Sequence, residues 1–173
     1  MALTEIKGKH FGKRLRFVFR NFPLSEMNPH AEGAAEAAEF AGAQGKFWEM
    51  HDLLFENQDR LGGQLFLGLA QELELEATAL RQALEDGEFK TRVRADFAGG
   101  VRSGVNGTPT FFINGHRHDG PCDFGDLVLA IDEAIDTERR QDDCISHECR
   151  PHGYILGIYY ADGATAGAEA ANA

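Results

Sequence analysis

The sequence predicts an α/β domain in which a long run of helices interrupts a small sheet. Three observations support this prediction. Residues 15–22 alternate apolar and charged side chains as a strand does, residues 29–104 repeat apolar side chains with the period of a helix, and residues 109–119 have the composition of a β-hairpin. With 43% hydrophobic and 26% charged residues, the 173-residue chain is suited to fold around one core and is unlike a wholly disordered protein.

The chain opens with residues 3–10, whose composition favours a short helix, and Gly12 stands where a glycine ends many helices. In residues 15–22 the apolar side chains alternate with arginines, and Pro23 ends the predicted strand. The first strand of this chain therefore follows a helix and has no strand before it.

Five helices are predicted between this strand and the hairpin, with glycines at the breaks between them. Their expected ranges are about 30–43, 46–57, 64–72, 77–85 and 88–103. The side chains expected to face the core are Trp48, Leu53, Leu54, Phe55, Phe66, Leu69, Leu73, Leu80, Leu84, Phe89, Val93 and Phe97.

The hairpin is predicted from residues 109–114 and 116–119, because the intervening Asn114-Gly115 is the strongest two-residue turn signal. Asp123 is expected to cap a final helix over about 124–138. Leu127, Val128, Ile131 and Ile135 fall on one stripe of this helix and predict its buried face.

The character of the sequence changes after Arg140, which suggests three regions. Residues 1–140 form the α/β domain with its helical insertion at about 29–104. Residues 141–160 diverge in composition and contain an apolar stretch, Tyr154–Tyr160, that is apolar on both faces as buried strands are. Residues 161–173 are expected to form a disordered tail, since they carry almost no apolar surface.

Charge and composition exclude several classes of protein. The net charge of −11, from 28 acidic and 17 basic residues, argues against a nucleic-acid partner. The apolar stretches are far shorter than the ~20 residues that a membrane-spanning helix needs. Arginines interrupt the apolar residues near the N-terminus, so we expect no secretory leader and a cytoplasmic location. Three cysteines are too few, and odd in number, for a disulfide-stapled scaffold.

Three blocks, RLRFVFRNFPL, PHAEGAAEAAEFAGAQGKFWEMHDLLF and GVNGTPTFFINGHRHDGP, occur in this order. With them, the chain resembles the DsbA-like thiol-disulfide oxidoreductases of the thioredoxin fold over about residues 3–135. The resemblance implies a first strand and a Cys-x-x-Cys helix N-terminus ahead of the elements predicted above. Residues 3–12 match the end of that first helix, so the first strand and the dithiol motif are expected to lie upstream of Met1. By this resemblance the chain is an N-terminally truncated member that lacks the catalytic pair.

In the family, the missing strand lies between the strands at 15–22 and 109–114. Its loss would leave both strands without the neighbour to which their backbone groups hydrogen-bond. We predict that Tyr154–Tyr160 fills this place. A second copy could instead donate the segment, giving a strand-swapped homodimer. The remaining alternative is a surface strand or a tail that packs nowhere.

Thr108 and Pro109 match the Thr-Pro of the family's site. A cis peptide bond there, which the resemblance implies, exposes the backbone N–H and C=O of Thr108 to an extended thiol-containing peptide or to glutathione. The alternative is a turn needed only to begin the hairpin.

Cys122 is the best candidate for a catalytic nucleophile, because it lies close to the N-terminus of the last helix, where the dipole favours a thiolate. The alternative is a partly buried cysteine that behaves as a small apolar residue. A further group, Cys144, His147, Cys149 and His152, collects ligand types that zinc prefers. Cys144 and Cys149 are also candidates for a disulfide, and the third alternative leaves all four as free residues on an exposed loop.

Each of the other histidines can be interpreted as a structural residue or as a functional one. His30 and His51 fall on helices, where packing or surface roles are expected. His116 and His118 alternate to one side of a strand and offer a two-histidine metal patch, or an exposed polar edge that protects the sheet from pairing. The basic residues of the first helix and strand are expected to form a solvated face.

These observations predict a thioredoxin-fold protein that lacks the catalytic dithiol and binds thiol or peptide ligands at Thr108 and Pro109. No cofactor is expected other than glutathione or zinc. One alternative is an active thiol-disulfide oxidoreductase that uses Cys122 or the Cys144/Cys149 pair. Another is a metal-binding or oligomeric scaffold built on the C-terminal Cys/His segment.

Overall fold

A computed structural model of the chain describes residues 15–142 and 154–160, with side chains through residue 137. The helix predicted at residues 3–10 lies outside the described residues, as does the tail at 161–173. The described elements are, in chain order, β1 (Leu15–Asn21), α1 (Ala31–Ala43), α2 (Phe47–Glu56), a 3-10 turn (Gln58–Arg60), α3 (Gly63–Glu72), α4 (Ala77–Asp86), α5 (Lys90–Arg102), β2 (Thr110–Ile113), β3 (His116–His118), α6 (Phe124–Asp142) and β4 (Tyr154–Tyr160).

The four described strands form one sheet in the order β1-β4-β2-β3. β2 and β4 are antiparallel, with Thr110 opposite Tyr159 and Ile113 opposite Leu156. β4 therefore lies between β1 and β2, which is the position predicted for Tyr154–Tyr160.

The β2–β3 hairpin turns at Asn114 and Gly115, as predicted. Both residues have positive φ, 50° at Asn114 and 83° at Gly115. This is the backbone of a type I′ turn, whose twist matches that of the two strands it joins. The turn sets the register, with Phe111 opposite His118 and Ile113 opposite His116.

The chain divides into two compact units, of which the first contains residues 1–19 and 109–159. Its core combines β2 with one face of α6, which contacts β2. Phe111, Leu127 and Ile131 are at most 1% exposed, and Ile135 is also buried. The predicted stripe on α6 is thus confirmed, although Val128 is only half-buried.

The second unit contains residues 20–108 and 160–173, and its described part holds α1–α5. Helix α1 is rich in alanine and contacts α2, α3, α4 and α5. Its small side chains allow this close approach, and its buried residues cover most of its circumference. Residues of the other helices that join this core include Met50, Leu54, Phe66, Leu69, Leu80 and Ala83.

A polar network lies where the chain leaves β1. The buried Asn21 side-chain amide donates hydrogen bonds to Glu39 Oε1 at 2.7 Å and to Asp96 Oδ2 at 3.4 Å. Its backbone N–H also donates to Asp96 Oδ2. Arg20 and Arg92 form ion pairs with Asp96 and Glu39 respectively. The two carboxylates are therefore neutralised next to the buried amide, as charges in such a place must be.

Glu36 lies on the same helix, α1, and is only 5% exposed. Burial raises its pKa, and the nearby Glu32 carboxylate adds to the rise, whereas Lys90 and Arg94 oppose it. Because the folded pKa is raised, the folded state binds the proton more tightly than the unfolded chain does. Glu36 therefore reduces the free energy of unfolding as the pH rises above the unfolded pKa through the folded pKa.

We expect Glu36→Gln to increase the free energy of unfolding at pH 7, since it removes a desolvated charge. The difference should shrink as the pH falls below the unfolded pKa, where Glu36 becomes protonated in both states. Urea unfolding at several pH values measures it. Glu32→Gln is the control: Glu32 accepts a 2.8 Å bond from Arg94, so its replacement should not stabilise the protein. A less stable Glu36→Gln protein at pH 7 would contradict the argument.

Candidate peptide-binding site

The loop that contains Thr108 and Pro109 begins at the end of α5. Gly104, at φ 78°, donates its N–H to Val101 O, and Val105 donates its N–H to Gly100 O at 2.9 Å. These two bonds form a Schellman motif, which satisfies the last helical carbonyls. Val105 is 6% exposed, so an apolar contact also fixes the path of the chain into the loop.

Residues 107–109 are half-buried, and Thr110, where β2 begins, is buried. A Cβ atom added to Gly107 would meet no neighbouring atom within 4 Å. The backbone just before Thr108 therefore runs beside open space. Thr110 pairs with Tyr159, close to the C-terminal end of β4. The two residues singled out in the sequence thus lie directly before the start of β2.

Cys122 lies in the loop between β3 and α6, and its side chain is exposed. Its Sγ is 3.7 Å from Gly120 O, and His118 Nε2 is 2.9 Å from Pro121 O. A Cβ at Gly120 would lie 2.8 Å from the His118 ring, so the loop can close over this ring only with glycine there. Because His118 pairs opposite Phe111, this loop lies at the end of the sheet where β2 begins.

Asp123 caps α6, as predicted from the sequence. Its Oδ1 accepts hydrogen bonds from the N–H groups of Gly125 at 2.9 Å and Asp126 at 3.1 Å. A hydrogen bond with the Asp126 side chain, supported by these backbone bonds, lowers the pKa of Asp123. The pKa of Asp126 is raised by the same side-chain bond. The negative charge at this helix terminus is thus held on Asp123, directly beside Cys122 in the sequence.

Partial desolvation of the sulfur raises the pKa of the Cys122 thiol, and the Asp123 carboxylate raises it further. Both effects act against the thiolate that the helix dipole alone would favour. A carboxylate already interacts with the helix N-terminus, and a second negative charge beside it is unfavourable. Cys122 is accessible, but its raised pKa disfavours the thiolate, which is the nucleophilic form.

Cys144, His147, Cys149 and His152 lie outside the described residues, so the disulfide and zinc hypotheses stay predictions. Within residues 15–137, no group of three or more histidine, cysteine or acidic side chains is arranged to hold a metal ion. His116 and His118 lie on β3 as expected, and the Nε2 of His118 is within hydrogen-bonding distance of Pro121 O.

His51 is a packing residue, in agreement with its predicted role. It is 8% exposed, and its Nδ1 is 2.9 Å from Asp52 Oδ1. Phe55 and Trp48 place their ring centroids 4.5 and 5.4 Å from the imidazole. Burial lowers the pKa of His51 more than Asp52 raises it. His30 is exposed just before α1, where its N–H donates to Asn28 Oδ1.

A shallow cleft of about 420 Å³ lies between the hairpin and α6 and was not foreseen from the sequence. Its polar lining includes His116, Arg117, Glu133 and Thr137. Arg117 is paired with Asp119 at 2.9 Å, and Thr137 donates a hydrogen bond to Glu133 O. These groups belong to two elements far apart in the sequence, and only their packing brings them together.

Comparison with known proteins gives a family and a set of longer relatives. A family model described as Thioredoxin matches residues 3–133. A Na(+)/H(+) antiporter NhaA 1 from Salinispora arenicola is 45% identical over 121 residues, which are 70% of this chain and 19% of that protein. NhaA 3 from Salinispora tropica is 43% identical over 125 residues, 72% of this chain and 19% of the relative.

NhaA from Nitrosospira multiformis is 41% identical over 130 residues, 75% of this chain and 20% of its own length. The match to this chain thus spans about a fifth of these relatives. No solved structure matches the chain. Among the helices of the described part, none has the length and apolar character to cross a membrane.

Proposed function

Since this chain belongs to the thioredoxin family, with the fold of the thiol-disulfide oxidoreductases, we propose that it binds extended thiol-containing peptides, or glutathione, without turning over disulfides. The binding group is the backbone of Thr108, made accessible by a cis peptide bond to Pro109. The ligand adds to the start of β2 as a further strand would. Main-chain hydrogen bonds then supply affinity that depends little on the ligand's side chains.

The observation that carries this proposal is the loop Gly107-Thr108-Pro109, which leads into β2 beside open space. Within the printed residues, no two cysteines are spaced as Cys-x-x-Cys. A dithiol oxidoreductase needs an activated thiolate and a second cysteine that resolves the mixed disulfide. Binding a peptide through the backbone of Thr108 needs neither of these cysteines.

The properties of Cys122 support a binding role over a catalytic one. The pKa of its thiol is raised, so the thiolate that attacks disulfides is a smaller fraction at neutral pH. Among the described residues, no second cysteine accompanies it. A mixed disulfide formed at Cys122 would therefore have no resolving thiol within the described part of the chain.

The binding half of the proposal is tested by an NMR titration with glutathione and with an unstructured peptide that contains one cysteine. We expect shifts of the Thr108 and Thr110 amide signals on addition of ligand. Pro109→Ala should weaken binding, because proline fixes the φ angle of residue 109 and so preorganises the loop that presents the Thr108 backbone. Pro121→Ala, an exposed proline in the next loop, is the control and should bind normally. Equal binding by both variants would contradict a binding site at Thr108 and Pro109.

The catalytic half is tested by an insulin-reduction assay with dithiothreitol. We expect no turnover above that of dithiothreitol alone, and no change on Cys122→Ser. Turnover that Cys122→Ser abolishes would contradict the proposal, and loss on Cys144→Ser would favour the alternative dithiol at Cys144 and Cys149. The antiport activity in the relatives' names belongs to proteins of which the match to this chain spans about a fifth. The proposal concerns only the thioredoxin-like segment.

A further inference from the structure

We propose that the cleft between the β2–β3 hairpin and α6 binds a small zwitterion, namely a free α-amino acid with a short aliphatic side chain. The cleft has a volume of about 420 Å³, which is within the range of small-molecule sites. Its lining belongs to the first compact unit and does not include Thr108 or Pro109. The inference is therefore independent of the proposed function.

Two alanines of α6 leave the space for the cleft. Ala130, Glu133, Ala134 and Thr137 line it, and their spacing places them on one face of the helix. Leucine and isoleucine side chains fill the neighbouring stripe of α6 and are buried. Ile113, which is 8% exposed, lines the cleft from β2. The two alanines and Ile113 thus form an apolar floor on which a short aliphatic side chain can rest.

The hairpin supplies one polar wall of the cleft. His116 lies opposite Ile113, and residues opposite each other in an antiparallel pair point to the same face of the sheet. Within the described part of the chain, the imidazole of His116 takes part in no ion pair or side-chain hydrogen bond. Arg117 adds a positive charge to this wall, although its Nε is paired with Asp119 at 2.9 Å. The wall suits a carboxylate, which accepts a hydrogen bond from the imidazole N–H.

Glu133 supplies the opposite charge from α6. Its side chain is exposed, and no ion pair with another side chain of residues 15–137 neutralises its carboxylate. Its backbone O accepts a hydrogen bond from Thr137 Oγ1 at 2.8 Å, which fixes the hydroxyl beside it. A carboxylate in this position suits an ammonium group, which has three N–H donors. The two walls therefore carry opposite charges, and a zwitterion places one charged group against each of them.

The charge of the whole protein and the size of the cleft favour this ligand over others. The net charge of −11 repels a small anion, whereas a zwitterion carries no net charge. An α-amino acid holds both charged groups on one carbon atom, which suits a cleft of this volume, and a peptide holds them at its two ends. Because the cleft is shallow, part of the ligand stays in water, and we expect an affinity in the millimolar range.

NMR titration with L-valine and with two compounds that each lack one of its charged groups tests the inference. Isobutylamine lacks the carboxylate of valine, and isovalerate lacks its ammonium group. We expect L-valine to shift the amide signals of His116 and Ala134 with a dissociation constant of about 1 mM. Both analogues should bind about tenfold more weakly, since each loses one charge-assisted hydrogen bond. The Thr110 signal, at the other end of β2, should not shift.

Substitutions on α6 assign the binding to the cleft. Glu133→Gln should weaken valine binding about fivefold, because it removes the charge that pairs with the ammonium group. Asp132→Asn changes the neighbouring exposed acid, which does not line the cleft, and should bind normally. Ala134→Leu fills the cleft without changing any charge and should abolish binding, whereas the smaller change Ala134→Ser should preserve it. Urea unfolding establishes that each variant is folded.

Three results would overturn the inference. One is the absence of shifts at His116 and Ala134 with L-valine up to about 10 mM. Another is binding of isobutylamine or isovalerate as tight as that of valine, since one charged wall would then be unnecessary. The third is equal valine binding by the Glu133→Gln and Asp132→Asn proteins. None of these results affects the proposed peptide site, whose failure is read from the Thr108 and Thr110 signals with glutathione and peptide.

Discussion

Replacing Ile158 with proline is expected to lower the free energy of unfolding by about 3 kcal/mol or more, enough to unfold a domain of ordinary stability. β4 lies between β1 and β2, so the residues in the middle of β4 have a neighbouring strand on both sides. Ile158 is in the middle of the pairing with β2, opposite Phe111. Proline there removes a donor and places its ring against a partner strand, which sheets tolerate only at their edges.

Ile158→Val is the matched control, since it keeps the donor and the β-branched side chain and should cost no more than about 1.5 kcal/mol. Both proteins are compared by urea unfolding, with the loss of β-sheet signal followed by circular dichroism. A fully stable Ile158→Pro protein would show that the sheet closes without β4. The central claim about this fold would then be wrong.

Replacing Phe111 with alanine is the second change with a large expected effect. Phe111 is 1% exposed and is among the largest fully buried side chains of the described chain. Its loss removes buried apolar surface and leaves a cavity that the sheet and α6 fill only in part. Phenylalanine-to-alanine changes in such places cost about 3–5 kcal/mol.

Phe112→Ala is the control for Phe111→Ala. The two phenylalanines are adjacent in β2, so their side chains point to opposite faces of the sheet, and Phe112 is only half-buried. The Phe112 variant should lose less than half as much stability as the Phe111 variant. Equal losses in urea unfolding would contradict the assignment of Phe111 to the core between β2 and α6.

Much of the fold was predictable because its signals are local. Alternation in residues 15–22 predicts β1, and the positive φ values that Asn114 and Gly115 tolerate predict the hairpin turn. The place of Tyr154–Tyr160 required one further argument: a stretch that is apolar on both faces belongs inside a sheet, and the resemblance implied an empty position there.

The burial of α1 was not predictable from periodicity. Nearly all sides of this helix are covered, so no single apolar stripe marks its core face, and Glu36 and Glu39 are buried with the alanines. Met50 was also missed, although it is fully buried in the same helical core. Burial of this kind depends on how several elements pack together.

At the candidate site, Thr108 and Pro109 were found through resemblance, and the structure places them directly before β2. For Cys122, only the helix dipole was considered from the sequence. The capping Asp123 already places a negative charge at that terminus, and its carboxylate opposes a thiolate next to it. An interaction of this kind appears only when neighbouring side chains are placed in space.

The position of β4 also has a consequence for biosynthesis. β1 is translated early and β2 later, but the strand that must lie between them is made after both. The growing polypeptide thus emerges from the ribosome with two strands that have no common neighbour and expose unsatisfied edges. Until Tyr160 is outside the ribosome, β1 and β2 lack the strand that lies between them, and the sheet can close only after that point.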